Sequence, residues 1–127
     1  MRMFCGLVVG AVLIVLLGAR VQAQAPQNNA QLSSANCPAG CVTLSLAGYR
    51  YGAIQVNGTG TWTMQFEASI DGTNFTAVAM TPAGGGMTAS STTAAGLWNA
   101  LLAGFNVLRV RISSYTSGTP WVYLQVS

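Results

Sequence analysis

Thr61-Trp-Thr-Met-Gln-Phe-Glu-Ala-Ser-Ile70-Asp-Gly-Thr-Asn74 is the stretch that decides the fold class. Over its first ten residues Trp62, Met64, Phe66, Ala68 and Ile70 alternate with Thr63, Gln65, Glu67 and Ser69. A period of two marks a strand with one face in a core and the other toward water. Asp71-Gly72-Thr73-Asn74 then has the residues of a tight hairpin, because Asp bonds its own backbone and Gly accepts a positive φ. Phe75 to Met80 reads as the returning strand.

The same alternation recurs on both sides. Upstream, Val42, Leu44 and Leu46 alternate with Thr43 and Ser45, and Tyr51 to Asn57 places Ile54 and Val56 on one face before an Asn57-Gly-Thr-Gly60 turn. Downstream, the glycines of Thr81-Pro-Ala-Gly-Gly-Gly86 mark a loop. Met87 to Thr93 is polar and β-prone, an edge strand, and Leu97 to Leu102 is a short apolar piece that fits a strand or a helical turn. Leu108, Val110 and Ile112 point inward with Val107, Arg109 and Arg111 outward. After a Tyr115-Thr-Ser-Gly118 turn, Trp121 to Val126 closes the domain with Val122, Leu124 and Val126 on its inner face. About eight short strands with a turn every 8–12 residues make an all-β domain, a single β-sandwich of jelly-roll type over residues 41–127.

The chain ahead of the domain is of two kinds. Residues 1–23 have the layout of a secretory signal peptide. Arg2 is followed by the apolar run FCGLVVGAVLIVLLGA, and Val21-Gln-Ala23 offers small residues at a cleavage site. The run is short for a membrane span and is stopped by Arg20. Residues 24–40 include QAPQNNAQLSSAN, polar, uncharged and without period, and read as a flexible leader. Cys37 and Cys41 lie in NCPAGC. In an oxidising compartment such a pair forms a disulfide, and the chain has neither a second pair nor a histidine to complete a metal site. The expected location is secreted or at the cell surface.

Charge is scarce. The chain has no histidine, its five basic residues are all arginine, and its acids are Glu67 and Asp71 alone. The net charge of +3 falls to +1 once Arg2 and Arg20 leave with the signal, which is too little for a nucleic-acid surface. General acid–base, nucleophilic and metal-dependent chemistry all need side chains that are almost absent here. The expectation is therefore a protein that is not an enzyme, without cofactor or metal. Gly58-Thr-Gly60 has neither the third glycine nor the following helix of a dinucleotide fingerprint. Glu67 and Asp71 could be read as a glycosidase pair, but four residues of strand span about 13 Å, and Asp71 has its turn to make.

Trp62 to Phe75, then Gly96-Leu-Trp98, Gly104-Phe-Asn-Val-Leu-Arg109-Val-Arg111 and Tyr115-Thr-Ser-Gly-Thr119, together resemble a small sandwich domain of tailed-phage structural proteins and related exported bacterial proteins. The resemblance runs from about Tyr49 to Ser127 and rests on strand faces and turns. It implies a non-catalytic, surface-displayed assembly or attachment module.

Five residues are candidates for binding. Arg109 and Arg111 share the outer face of one strand and could meet an anion or an acidic glycan; alternatively they form an exposed ion pair with Glu67. Trp121 and Tyr123 oppose the inward face of the last strand, and Tyr115 lies near its start. Rings beside Asn and Gln suit a surface glycan, other protein subunits in a homo-oligomer, or a second buried face.

Overall fold

In the computed structural model, residues 25–127 are described, and the signal peptide expected over residues 1–23 lies outside them. Ten strands are present among the described residues, and no helix. They are β1 (Gln27–Gln31), β2 (Cys41–Ser45), β3 (Tyr51–Asn57), β4 (Gly60–Ser69), β5 (Thr76–Ala77), β6 (Thr81–Pro82), β7 (Ser91–Thr92), β8 (Gly96–Leu101), β9 (Val107–Gly118) and β10 (Trp121–Val126). They form two five-stranded sheets. Sheet 1 has the order β2-β9-β4-β5, with β7 also paired to β4, and sheet 2 has the order β1-β10-β3-β8-β6. Every pairing is antiparallel.

The period-two residues bury as their alternation requires. Trp62, Met64, Phe66 and Ala68 of β4 meet Ile54 and Val56 of β3, Leu108, Val110 and Ile112 of β9, and Val122, Leu124 and Val126 of β10 in a single core. Phe66 of sheet 1 and Trp98 of sheet 2 touch across it, with ring centroids 5.2 Å apart. Burying a large aromatic or aliphatic side chain of this kind contributes about 1.5–3 kcal/mol, so these residues join the two sheets into a sandwich.

Four details differ from expectation. The segment 24–40, expected as a flexible leader, holds β1, which pairs with β10 from Trp121↔Gln31 to Gln125↔Gln27. Its inward positions are Asn28, Ala30 and Leu32, too weakly apolar to show a period, yet Leu32 is 1% exposed and its N–H donates to the Pro120 carbonyl at 2.9 Å. Backbone pairing to a free sheet edge, rather than side-chain hydrophobicity, orders this segment. Ile70, expected inward, is 65% exposed because the ladder ends at Ser69 and the chain turns away. The turn expected at Tyr115–Gly118 is strand: β9 continues to Gly118 through two register shifts, Ile112/Ser114 and Tyr115/Ser117, and reverses at Thr119-Pro120. Bulges of this kind insert a residue without ending the strand. Last, Met87 to Thr93 contracts to the two residues of β7 and a Met80↔Ala89 bridge, and the returning strand expected over Phe75 to Met80 contracts to the two residues of β5. Of the two readings for Leu97 to Leu102, strand holds.

Candidate functional site

The five candidate residues fall into three places. Arg109 and Arg111 project from the outer face of sheet 1, Tyr115 packs against the core, and Trp121 and Tyr123 stand on the outer face of sheet 2.

On sheet 1, Arg109 and Arg111 are engaged with Glu67. Arg109 lies opposite Glu67 in the β9/β4 register, and its Nη2 reaches Glu67 Oε1 at 2.7 Å. Arg111 Nη2 reaches Glu67 Oε2 at 2.9 Å and also donates to Gln65 Oε1 at 2.7 Å, while its Nη1 donates to Asn36 Oδ1 at 2.9 Å. The Arg109 guanidinium lies 3.7 Å from the Phe75 ring centroid. Glu67 is 5% exposed. The exposed ion pair expected from the sequence is thus corrected to a buried carboxylate shared by two guanidinium groups. Burial works to raise the Glu67 carboxyl, but hydrogen bonds from Arg111 and Arg109, reinforced by their charges, hold it below the ordinary carboxylate range. The cluster joins β4, β9 and the Cys37–Cys41 loop, whose disulfide is formed. With the donors of both arginines turned to protein partners, it is built to hold structure together.

Asp71 serves its turn. It accepts the Thr73 and Asn74 backbone N–H groups at 2.8 Å each, the Asn74 side-chain amide at 2.8 Å and the Ser69 hydroxyl at 2.9 Å. These donors, the Asn74 and Thr73 backbone first, hold its carboxyl well below the ordinary range. Tyr115 donates its hydroxyl to the Gly118 carbonyl at 2.5 Å and sits opposite Trp62 in the ladder. Its ring is partly buried and packs against the core. Among the described residues, no group of three or more His, Cys, Asp or Glu is placed to hold a metal ion.

Sheet 2 presents a different surface. Cross-strand partners share a face, so the register places its outward residues in rows: Gln31, Trp121 and Asn57; Asn29, Tyr123, Gln55 and Leu97; Gln27, Gln125, Ala53, Asn99 and Thr81; and Tyr51 with Leu101. No ionisable side chain other than tyrosine stands in these rows. Trp121 and Tyr123 are each 40% exposed, with ring planes 23° apart and centroids separated by 6.3 Å. Beside them a shallow depression of about 260 Å³ is lined by Asn29, Gln55, Tyr123, Gln125 and Leu97. Sequence reasoning finds the two rings from their odd positions on β10. It misses Leu97 and Leu101, because the strand around Trp98 is not distinguished from a helical turn. It misses Asn29, because β1 carries no apolar period.

Fold and surface together define a class: a charge-poor, antiparallel β-sandwich module whose outward rings and amides gather on one sheet. No protein-family model matches the chain, and no curated protein is similar to it in sequence. Solved structures are similar in fold. The SPBc2 prophage-derived protein YomS superposes with a TM-score of 0.60 at 16% identity, over 80% of this chain and 95% of its own. The PBSX exported protein XepA superposes with a TM-score of 0.63 at 19% identity; the match takes in 100% of this chain and 49% of XepA, so the chain spans about half of that protein. The resemblance to phage-related and exported proteins read from the sequence therefore holds at the level of fold.

Proposed function

We propose that this chain is an exported, non-catalytic β-sandwich module for assembly or surface attachment, working through the outer face of sheet 2. The observation that carries the reading is the segregation of charge. Glu67, Arg109 and Arg111 lie on sheet 1 and are bound to one another, whereas the outward rows of sheet 2 expose Tyr51, Leu97, Leu101, Trp121 and Tyr123 among amides, with Arg50 exposed just ahead of β3. A contiguous, uncharged face with exposed rings is the composition of a recognition surface. The two carboxylates are occupied with structural bonds, which leaves neither in position to serve as a catalytic acid or base. Export is supported by the formed disulfide, by the layout of residues 1–23, and by the fold likeness to a protein whose name describes it as exported.

Fractionation of bacteria producing the full chain tests this. The protein should leave the cytoplasm, have an intact mass that begins at Gln24, show no titratable thiol, and sediment with envelope or assembled material. Recovery as a free cytoplasmic monomer beginning at Met1 would contradict it.

A further inference from the structure

The face on sheet 2 is more specific than a generic contact surface. Naming its occupant rests on the proposal that it is the working surface, and three observations narrow the choice. First, its polar groups are amides: Asn29, Gln125 and Asn99 make no side-chain hydrogen bond among the described residues, and Gln55 bonds only Asn57, at 3.3 Å. Each amide offers both donors and an acceptor, which matches hydroxyl groups and gives no advantage to a charged ligand. Second, the amides border a depression that the Tyr123 ring and Leu97 wall, with Trp121 nearly parallel to Tyr123 beside it. Alternating apolar ring faces and amides pair with a ligand that itself alternates apolar C–H faces and hydroxyls. Third, the face is small. Strands of 5, 6, 7, 6 and 2 residues, at about 3.3 Å per residue and about 4.8 Å apart, outline a footprint of roughly 400 Å², small beside the roughly 800 Å² of accessible surface per partner that a stable dimer takes.

We propose that the depression and the Trp121–Tyr123 pair bind an uncharged carbohydrate chain. The rings pack against the apolar faces of successive sugars, and Asn29, Gln55 and Gln125 exchange hydrogen bonds with their hydroxyls. Glu67, Arg109 and Arg111, on the other sheet, take no part.

Calorimetry on the full chain tests this with three neutral hexasaccharides, cellohexaose, chitohexaose and maltohexaose, and with hexagalacturonic acid as the charged counterpart. At least one neutral probe should bind saturably, with less than about twofold change in Kd between about 0.05 and 0.5 M salt. Trp121→Ala and Tyr123→Ala should each weaken it about tenfold, the loss of one ring contact, while thermal unfolding stays close to that of the parent. The assignment is overturned if no neutral probe binds, if hexagalacturonic acid binds better, or if both variants bind as the parent does. It is equally overturned if sedimentation shows a dimer that Trp121→Ala dissociates, since a second copy would then hold the face. If every neutral probe fails while Tyr123→Arg still releases the chain from envelope material, the carbohydrate falls and the module reading stands. If Tyr123→Arg also leaves the distribution unchanged, both fall.

Discussion

Glu67 stands directly opposite Arg109 in the β4/β9 ladder and closes a 2.7 Å contact with it, while its second oxygen takes Arg111 at 2.9 Å. One carboxylate therefore keeps two like charges two residues apart on a single strand. Replacing it with leucine leaves both guanidiniums without their anion. The arginine side chains keep 19% and 23% of their surface exposed, so the cost should sit near the low end for breaking a buried pair, about 3 kcal/mol. Chemical denaturation of Glu67→Leu against the parent measures it; a change below about 0.5 kcal/mol, the level of a surface substitution, would show the cluster to be ornamental.

The same carboxylate makes stability depend on pH. Its folded pKa is depressed relative to the unfolded chain, so its contribution is complete above the unfolded value of about 4.3 and is lost as pH falls through the lower folded value. Asp71, also depressed, acts in the same direction. The melting temperature should be level near neutrality and decline below about pH 4, and Glu67→Gln should flatten part of that decline. A melting temperature that rises on acidification would mean that the folded protein holds these carboxyls protonated.

Phe66 and Thr63 lie on opposite faces of β4. Phe66 is fully buried and meets Trp98 across the sandwich. Phe66→Ala should cost about 3–5 kcal/mol, and Thr63→Ala far less. Equal losses in urea unfolding would mean that the two sheets do not meet through this face.

Leu32 tests whether the segment before the disulfide is part of the domain. At 1% exposure and bonded through its N–H to Pro120, it belongs to the core. Leu32→Ala should cost about 2–5 kcal/mol, and the amides of β1 paired to β10 should exchange slowly with solvent. A leader that moved freely would show neither effect.

Gly60 and Gly118 face one another at the end of the β4/β9 ladder, with φ of +146° and +99°. A Cβ on Gly60 would collide with the Ser117 carbonyl oxygen and come within 2.8 Å of the Gly118 Cα. Gly60→Ala should therefore destabilise well beyond the roughly 1 kcal/mol of an ordinary helix or strand glycine exchange. Gly84→Ala, where a Cβ meets open space, is the matched control.

Strands show clearly in the sequence where one face is apolar. β3, β4, β9 and β10 are legible because Ile54, Phe66, Val110 and Leu124 recur at period two. The pattern is silent where backbone pairing alone holds the chain. β1 carries Gln, Asn and Ala, and its order comes from hydrogen bonds to β10 that no side chain announces. Strand ends are equally hidden, since Ile70 continues the pattern of β4 after the ladder has stopped. The outward residues of the candidate face are legible in part. Trp121 and Tyr123 stand out because rings at solvent positions are unusual, whereas Asn29 and Leu97 join them only through cross-strand register, which a linear pattern does not contain. Alternation puts the arginine pair on the correct face, but its burial depends on Phe75 and the Cys37–Cys41 loop folding over it.

On the proposed reading, this protein works through the uncharged face of sheet 2. The most direct measurement compares two charge insertions in cells producing the full chain: Tyr123→Arg on that face, and Thr116→Arg at an exposed position of sheet 1. The quantity measured is the fraction of protein that sediments with envelope or assembled material, after thermal unfolding has shown both variants to be folded. Attachment through sheet 2 predicts that Tyr123→Arg moves the protein into the soluble exported fraction while Thr116→Arg distributes as the parent does. Equal distributions for all three proteins, or release by Thr116→Arg alone, would contradict it.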